Sequence, residues 1–70
     1  MITLIQAFKL CDIRDDEIVY LTKHGKSYYF PYIYTGKEVR EKYDMKHTLV
    51  TMIRPRFNFG EYEGMGFTIK

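Results

Sequence analysis

The chain begins with apolar residues at helical spacing. Leu4, Phe8 and Cys11 are separated by four and three positions, which places them on one face of an α-helix. Thr3 and Gln6 have the spacing of a capping box, in which each side chain satisfies a free backbone N–H of the other. The pattern predicts a helix that begins after Thr3 and ends at the acidic residue following Cys11.

From Glu17 onward the apolar period changes to two, which indicates strands. His24 and Gly25 predict a two-residue hairpin loop, and this loop would pair Tyr20 with Tyr29. The pairing separates a core face from an open face, the first with Val19, Leu21, Tyr28 and Phe30 and the second with Tyr20, Thr22, Ser27 and Tyr29. Pro31 has no N–H to donate, so the second strand should lie at a sheet edge or end there.

The second half of the chain repeats the order of helix and strands. Thr35 and Glu38 have the capping-box spacing again, and they predict a short helix. Residues 47–54 alternate as a strand with apolar residues on both sides, which is typical of a central strand, and Pro55 is expected to end it. Residues 54–64 follow no regular pattern, whereas 65–70 alternate as a closing strand.

These elements predict a single α+β domain over residues 1–70, in the order α-β-β-α-β-β. We expect a small antiparallel sheet of about four strands with two short helices on one face. Ile13 is the expected buried anchor of the polar connection after the first helix.

Composition limits the class of protein. Apolar residues make up 46% of the 70 residues, too many for a disordered chain, and no apolar run approaches the length of a membrane helix. Cys11 is the only cysteine, which fits a reducing compartment, and no secretory signal is visible. We therefore expect a soluble, cytoplasmic protein without a membrane partner.

Candidate catalytic and metal-binding groups are sparse. His24 and His47 are the only histidines, and neither has a cysteine or carboxylate at ligand spacing. The four acidic residues between positions 12 and 17 lack the alternate spacing of a calcium loop. The glycines form no phosphate-binding motif. The sequence predicts a non-enzymatic protein with no catalytic residue, metal site or cofactor.

Binding of a protein partner, or self-association, is the expected role, because aromatic residues and arginine are enriched at protein interfaces. Single-stranded nucleic acid is the alternative, since stacking rings beside basic residues also suit it, although the net charge of +2 is small for that function. The candidate binding residues are Tyr20, Tyr29, Lys23, Lys26, Arg54, Arg56, Phe57 and Phe59.

The successive runs LIQAFKLCD, DDEIVYL, VTMIRPRF and GFTIK, with a tyrosine-rich strand between the second and third, give the chain a family resemblance. It resembles small uncharacterised proteins carried by phages and integrated mobile elements of Gram-positive (Firmicute) bacteria. The resemblance covers the whole chain in order. It implies an accessory role in a mobile element, and it brings no catalytic or binding residues.

Overall fold

The computed structural model describes residues 1–25 and 31–70, without the side chain of Phe59. The elements are β1 (Ile2–Thr3), α1 (Leu4–Cys11), β2 (Ile18–Lys23), β3 (Tyr32–Thr35), α2 (Gly36–Lys42), β4 (Leu49–Phe59) and β5 (Tyr62–Ile69). Within this part of the chain the strands form one sheet in the order β1-β4-β5-β2-β3. The α+β class and the two short helices are as predicted.

The sheet differs from the prediction in strand number and direction. It has five strands in the described residues, because the two-residue β1 pairs with Leu49 and Val50 of β4. It is mixed, because β2 and β5 run parallel while the other pairs are antiparallel. Parallel neighbours need a crossover connection, and here the chain between β2 and β5 supplies β3, α2 and β4.

Both predicted capping boxes are present. At α1 the Gln6 N–H donates to Thr3 Oγ1 at 3.4 Å, and the Thr3 N–H donates to Gln6 Oε1 at 2.9 Å. At α2 the Glu38 N–H donates to Thr35 Oγ1 at 3.2 Å, and the Thr35 N–H donates to Glu38 Oε1 at 2.9 Å. Asp12 ends α1 in the left-handed conformation, which short polar side chains tolerate.

One apolar core joins both helices to one face of the sheet. Leu4, Ala7 and Phe8 of α1 and Val39 of α2 are buried in it, together with Ile13, the predicted anchor. The buried sheet residues of the cluster are Val19, Leu21, Val50, Phe67 and Ile69. In register, Val19 and Leu21 lie beside Met65 and Phe67, so these residues share the face on which the helices pack.

The predicted end of β4 at Pro55 is wrong. β4 lies between β1 and β5, as expected of a central strand, but it continues to Phe59 and turns at Gly60 into β5. The pairing with β5 shifts register between Arg54 and Phe57, so Pro55 falls in a bulge. Proline is tolerated there because no ladder hydrogen bond is required of it. The segment 54–64, expected to be irregular, is therefore a hairpin.

The predicted register of β2 is also wrong. β2 pairs with β3, so that Tyr20 lies opposite Ile33 and Leu21 opposite Tyr32. The two-residue loop at His24 and Gly25 would have placed Tyr29 and Tyr28 there, together with Val19 opposite Phe30. The far side of that loop, residues 26–30, lies outside the described residues.

Candidate functional site

Tyr20 is buried, with 1% of its surface exposed, and does not lie on an open face as predicted. Its ring centroid is 5.1 Å from that of Phe57, and its hydroxyl donates to the Tyr62 carbonyl at 2.7 Å. Gly66 lies in register between Tyr20 and Arg54, and a Cβ there would be 3.1 Å from the Phe57 side chain. The missing side chain of Gly66 therefore makes the space in which Tyr20 and Phe57 meet.

The other predicted binding residues are not gathered at one place. Lys23 is exposed at the end of β2, whereas Arg54 and Arg56 are exposed on β4, two strands away in the sheet. Phe57 is half-buried against Tyr20. Phe59 contributes its backbone to β4, and Tyr29 and Lys26 lie outside the described residues.

Three other tyrosines form a continuous row on the helix side of the sheet. Tyr32 and Tyr34 of β3 stack with their ring centroids 6.3 Å apart and their planes at 18°. Tyr43, the residue that ends α2, meets Tyr34 edge-on at 5.9 Å. Residues two apart on a strand share a face, which brings Tyr32 and Tyr34 together. The predicted pairing of β2 does not place Tyr32 and Tyr34 beside Leu21 and Val19, so the sequence does not predict this row.

Two lysines complete this row, which we name the tyrosine ladder: Lys23, Tyr32, Tyr34, Tyr43 and Lys42. The Lys23 ammonium lies 5.9 Å from the Tyr32 ring centroid, and the Lys42 ammonium lies 5.8 Å from that of Tyr34. Leu21 is opposite Tyr32 and Val19 opposite Tyr34, so Lys23 and Tyr34 lie on opposite sides of the Tyr32 ring. Tyr32 is the exposed tyrosine of the ladder, whereas Tyr34 and Tyr43 are half-buried.

The phenol of Tyr43 is held in its protonated form. Burial raises the pKa of Tyr43 well above its usual range, and the hydrogen bond between its hydroxyl and that of Tyr34, at 3.5 Å, raises this pKa further. Tyr43 therefore adds no charge to the ladder at neutral pH.

The backbone of β3 has a definite inward and outward side. The Gly36 N–H donates to the Glu17 carbonyl at 2.9 Å, whereas the Thr35 N–H points away from β2 to the Glu38 carboxylate. Hydrogen-bonded and non-hydrogen-bonded pairs alternate along an antiparallel ladder. Tyr34 and Tyr32 therefore bond to β2, and Ile33 directs its N–H and C=O outward.

This outer side, which we name the β3 edge, consists of Tyr32, Ile33, Tyr34 and Thr35. Among the described strands β2 is its one neighbour. Tyr32 and Ile33 are 51% and 46% exposed, and the edge carries no charged residue and no proline. Charged residues and proline protect sheet edges from adding another strand. The outer side of β4 has both, since Arg54, Pro55 and Arg56 follow one another there.

A groove of about 420 Å³ lies between α1 and Arg40 of α2. Arg40 forms one wall, with its guanidinium 5.1 Å from the Phe8 ring centroid, and it pairs with Asp15. The full lining is Ile5, Phe8, Lys9, Asp12, Ile13, Arg40 and Met45. The contacts of Arg40 therefore hold the connection before β2 in place.

Cys11 is half-buried at the end of α1. Burial raises its pKa, and the charge of Glu17 raises it further, so the thiol stays protonated at neutral pH. Within residues 1–25 and 31–70, no three histidine, cysteine or carboxylate groups cluster as a metal site would require.

Comparison with protein-family models, with curated proteins and with solved structures finds no significant match to this chain. None of the helices in the described part of the chain has the length and apolar content needed to cross a bilayer.

Proposed function

We propose that this protein is a non-enzymatic protein-interaction factor that binds an extended segment of its partner along the β3 edge. The observation that carries the proposal is the outward N–H and C=O of Ile33 on an edge with neither charge nor proline. An added strand forms main-chain hydrogen bonds to such an edge and gains specificity from its side chains. The accessory role in a mobile element that the sequence resemblance implies is part of this proposal, as is a cytoplasmic location.

The short length of the edge limits how much main-chain hydrogen bonds can contribute to the affinity for a partner. One residue of the partner can exchange two hydrogen bonds with Ile33, and a hydrogen bond contributes only about 1 kcal/mol net. The Thr35 N–H is already used by Glu38, which limits the ladder at that end. Most of the affinity must therefore come from side chains that pack on Tyr32, Ile33 and Tyr34. This arrangement suits a weak, regulated contact better than a permanent one.

Single-stranded nucleic acid is the alternative, and the geometry supports it less. Tyr20, one of its two predicted stacking residues, is buried, and Tyr29 lies outside the described residues. The exposed Tyr32 and the half-buried Tyr34 stack on each other and on lysines, so an incoming base would have to displace those contacts. Binding of short single strands that weakens steeply with salt would favour this alternative.

The proposed function is tested with a displayed library of random peptides, selected on the full-length protein. We expect selected peptides to bind wild type and Ile33→Val, because both keep the outward N–H. Binding should be lost with Ile33→Pro, which removes that donor but leaves the bonds of Tyr32 and Tyr34 to β2 intact. Unfolding by urea checks that each variant remains folded.

Two results would contradict the proposal. One is a folded Ile33→Pro variant that binds the selected peptides as tightly as wild type. The other is a selection that yields no peptide whose binding depends on position 33.

A further inference from the structure

The β3 edge is neutral, but it is flanked by two positive charges. Lys23 and Lys42 are exposed, and their ammonium groups lie over the rings of Tyr32 and Tyr34. In the described part of the chain neither ammonium has a carboxylate within salt-bridge distance, since the ion pairs there are Arg40 with Asp15 and His47 with Asp44. Glu38, one helical turn before Lys42 on α2, directs its carboxylate to the Thr35 N–H.

The geometry of an added antiparallel strand determines which of its residues meet these lysines. Its central residue would exchange hydrogen bonds with Ile33 and point to the face away from the helices. The residues on either side of it would lie opposite Tyr32 and Tyr34 and point to the helix face. Those two side chains would therefore reach the ladder where Lys23 and Lys42 lie.

We propose that the partner strand is acidic, with carboxylates at the two positions that flank an apolar residue opposite Ile33. This inference rests on the proposed function and adds the chemistry of the partner. Opposite charges across an interface favour association, and like charges oppose it.

A second copy of this chain is a poorer occupant of the β3 edge, because like charges would meet across the interface. In antiparallel self-pairing centred on Ile33, Tyr32 of one copy would lie opposite Tyr34 of the other. The ammonium groups of Lys23 and Lys42 would then be brought together across the interface. The edge is also only four residues long, far smaller than the surface that a stable dimer buries.

Three blocked synthetic peptides test the inference on the full-length protein. They share every residue except those flanking a central valine, which are Glu-Val-Glu, Gln-Val-Gln or Lys-Val-Lys. We expect the glutamate peptide to bind about five-fold more tightly than the glutamine peptide at low salt, the order expected of two exposed ion pairs. The preference should shrink at high salt, and the lysine peptide should bind most weakly.

Variants of the protein identify the source of the preference. The double variant Lys23→Gln, Lys42→Gln should lose the preference for glutamate, so that the glutamate and glutamine peptides bind it equally. Lys37→Gln, Lys46→Gln removes the same charge from exposed positions outside the ladder, and it should keep most of the preference.

Equal binding of the glutamate and glutamine peptides, or a preference for lysine, would overturn the acidic partner and leave strand addition standing. A glutamate preference that survives the loss of Lys23 and Lys42 would also overturn it. Failure of all three peptides to bind would count against the proposed function itself.

Discussion

Gly36 is a residue at which two parts of the backbone approach closely. A Cβ at this position would lie 2.2 Å from the Arg14 carbonyl oxygen and 3.0 Å from the Ile13 side chain. The Gly36 N–H donates to the carbonyl of Glu17, so the connection before β2 and the first turn of α2 are joined directly at this point. The absent side chain lets the start of α2 lie against the connection before β2.

The variant Gly36→Ala should therefore destabilise the protein by about 1–3 kcal/mol, the usual cost of overpacking. Helix propensity alone gives the opposite sign, because alanine is favoured over glycine in a helix by roughly 1 kcal/mol. The midpoint of urea unfolding measures the effect, provided that its slope is unchanged. Lys37→Ala, at the exposed next position, should shift stability by less than about 0.5 kcal/mol. A higher midpoint for Gly36→Ala would show that the close approach is absent.

Tyr20 shows at the residue scale why strand alternation alone did not locate the exposed aromatics. Alternation correctly put Tyr20 on the face opposite Val19 and Leu21. It could not show that Gly66, 46 positions later in the chain, lies beside Tyr20 and lets Phe57 cover it. Burial of that face depends on neighbours that are distant in sequence.

At the scale of elements, β3 and α2 act as one unit joined at Thr35. Thr35 is the last residue of β3 and also the N-cap of α2, so its side chain begins the helix. Glu38 of α2 in turn occupies the Thr35 N–H, and Tyr43 at the far end of the helix packs on Tyr34 of the strand. The helix thus fixes both the position of the ladder and the point at which the β3 edge ends.

Tyr43 makes the free energy of unfolding depend on pH in the alkaline range. Its pKa is raised in the folded protein, so the unfolded chain releases this proton first as the pH rises. Above the usual tyrosine pKa of about 10 the folded state binds more protons than the unfolded state, and the free energy of unfolding falls with pH. Urea unfolding between about pH 9 and about pH 11 should show a smaller decrease for Tyr43→Phe than for wild type. Equal decreases in both proteins would contradict the role of Tyr43.

How well the sequence predicts each element depends on how far apart along the chain its interacting residues lie. Thr3 with Gln6 and Thr35 with Glu38 are three residues apart, so the sequence was sufficient to locate both helices. The sequence does not predict that β4 continues through Pro55, because the strand tolerates this proline only at a bulge in the pairing with β5. The two residues of β1 are too few to show an alternation, and only their partners in β4 make them a strand.

At the scale of the whole molecule, the parallel pairing of β2 with β5 determines which strands are left at the edges. Because β5 takes one side of β2, β3 takes the other and becomes an edge, and β4 is covered at its start by β1. Nothing local in the sequence distinguishes a parallel from an antiparallel neighbour, so the class of fold was predictable and the strand order was not. The candidate site follows from strand order, and this is why its tyrosines were missed.

The orientation of the β3 backbone is the premise of both proposals, and amide hydrogen exchange on the free, full-length protein tests it most directly. We predict that the Ile33 amide exchanges nearly as fast as an unstructured peptide, because its N–H points to solvent. The Tyr34 amide, which bonds to β2, should exchange far more slowly. An Ile33 amide as protected as that of Tyr34 would contradict the account, because it would mean that this edge is already paired or that β3 faces the other way.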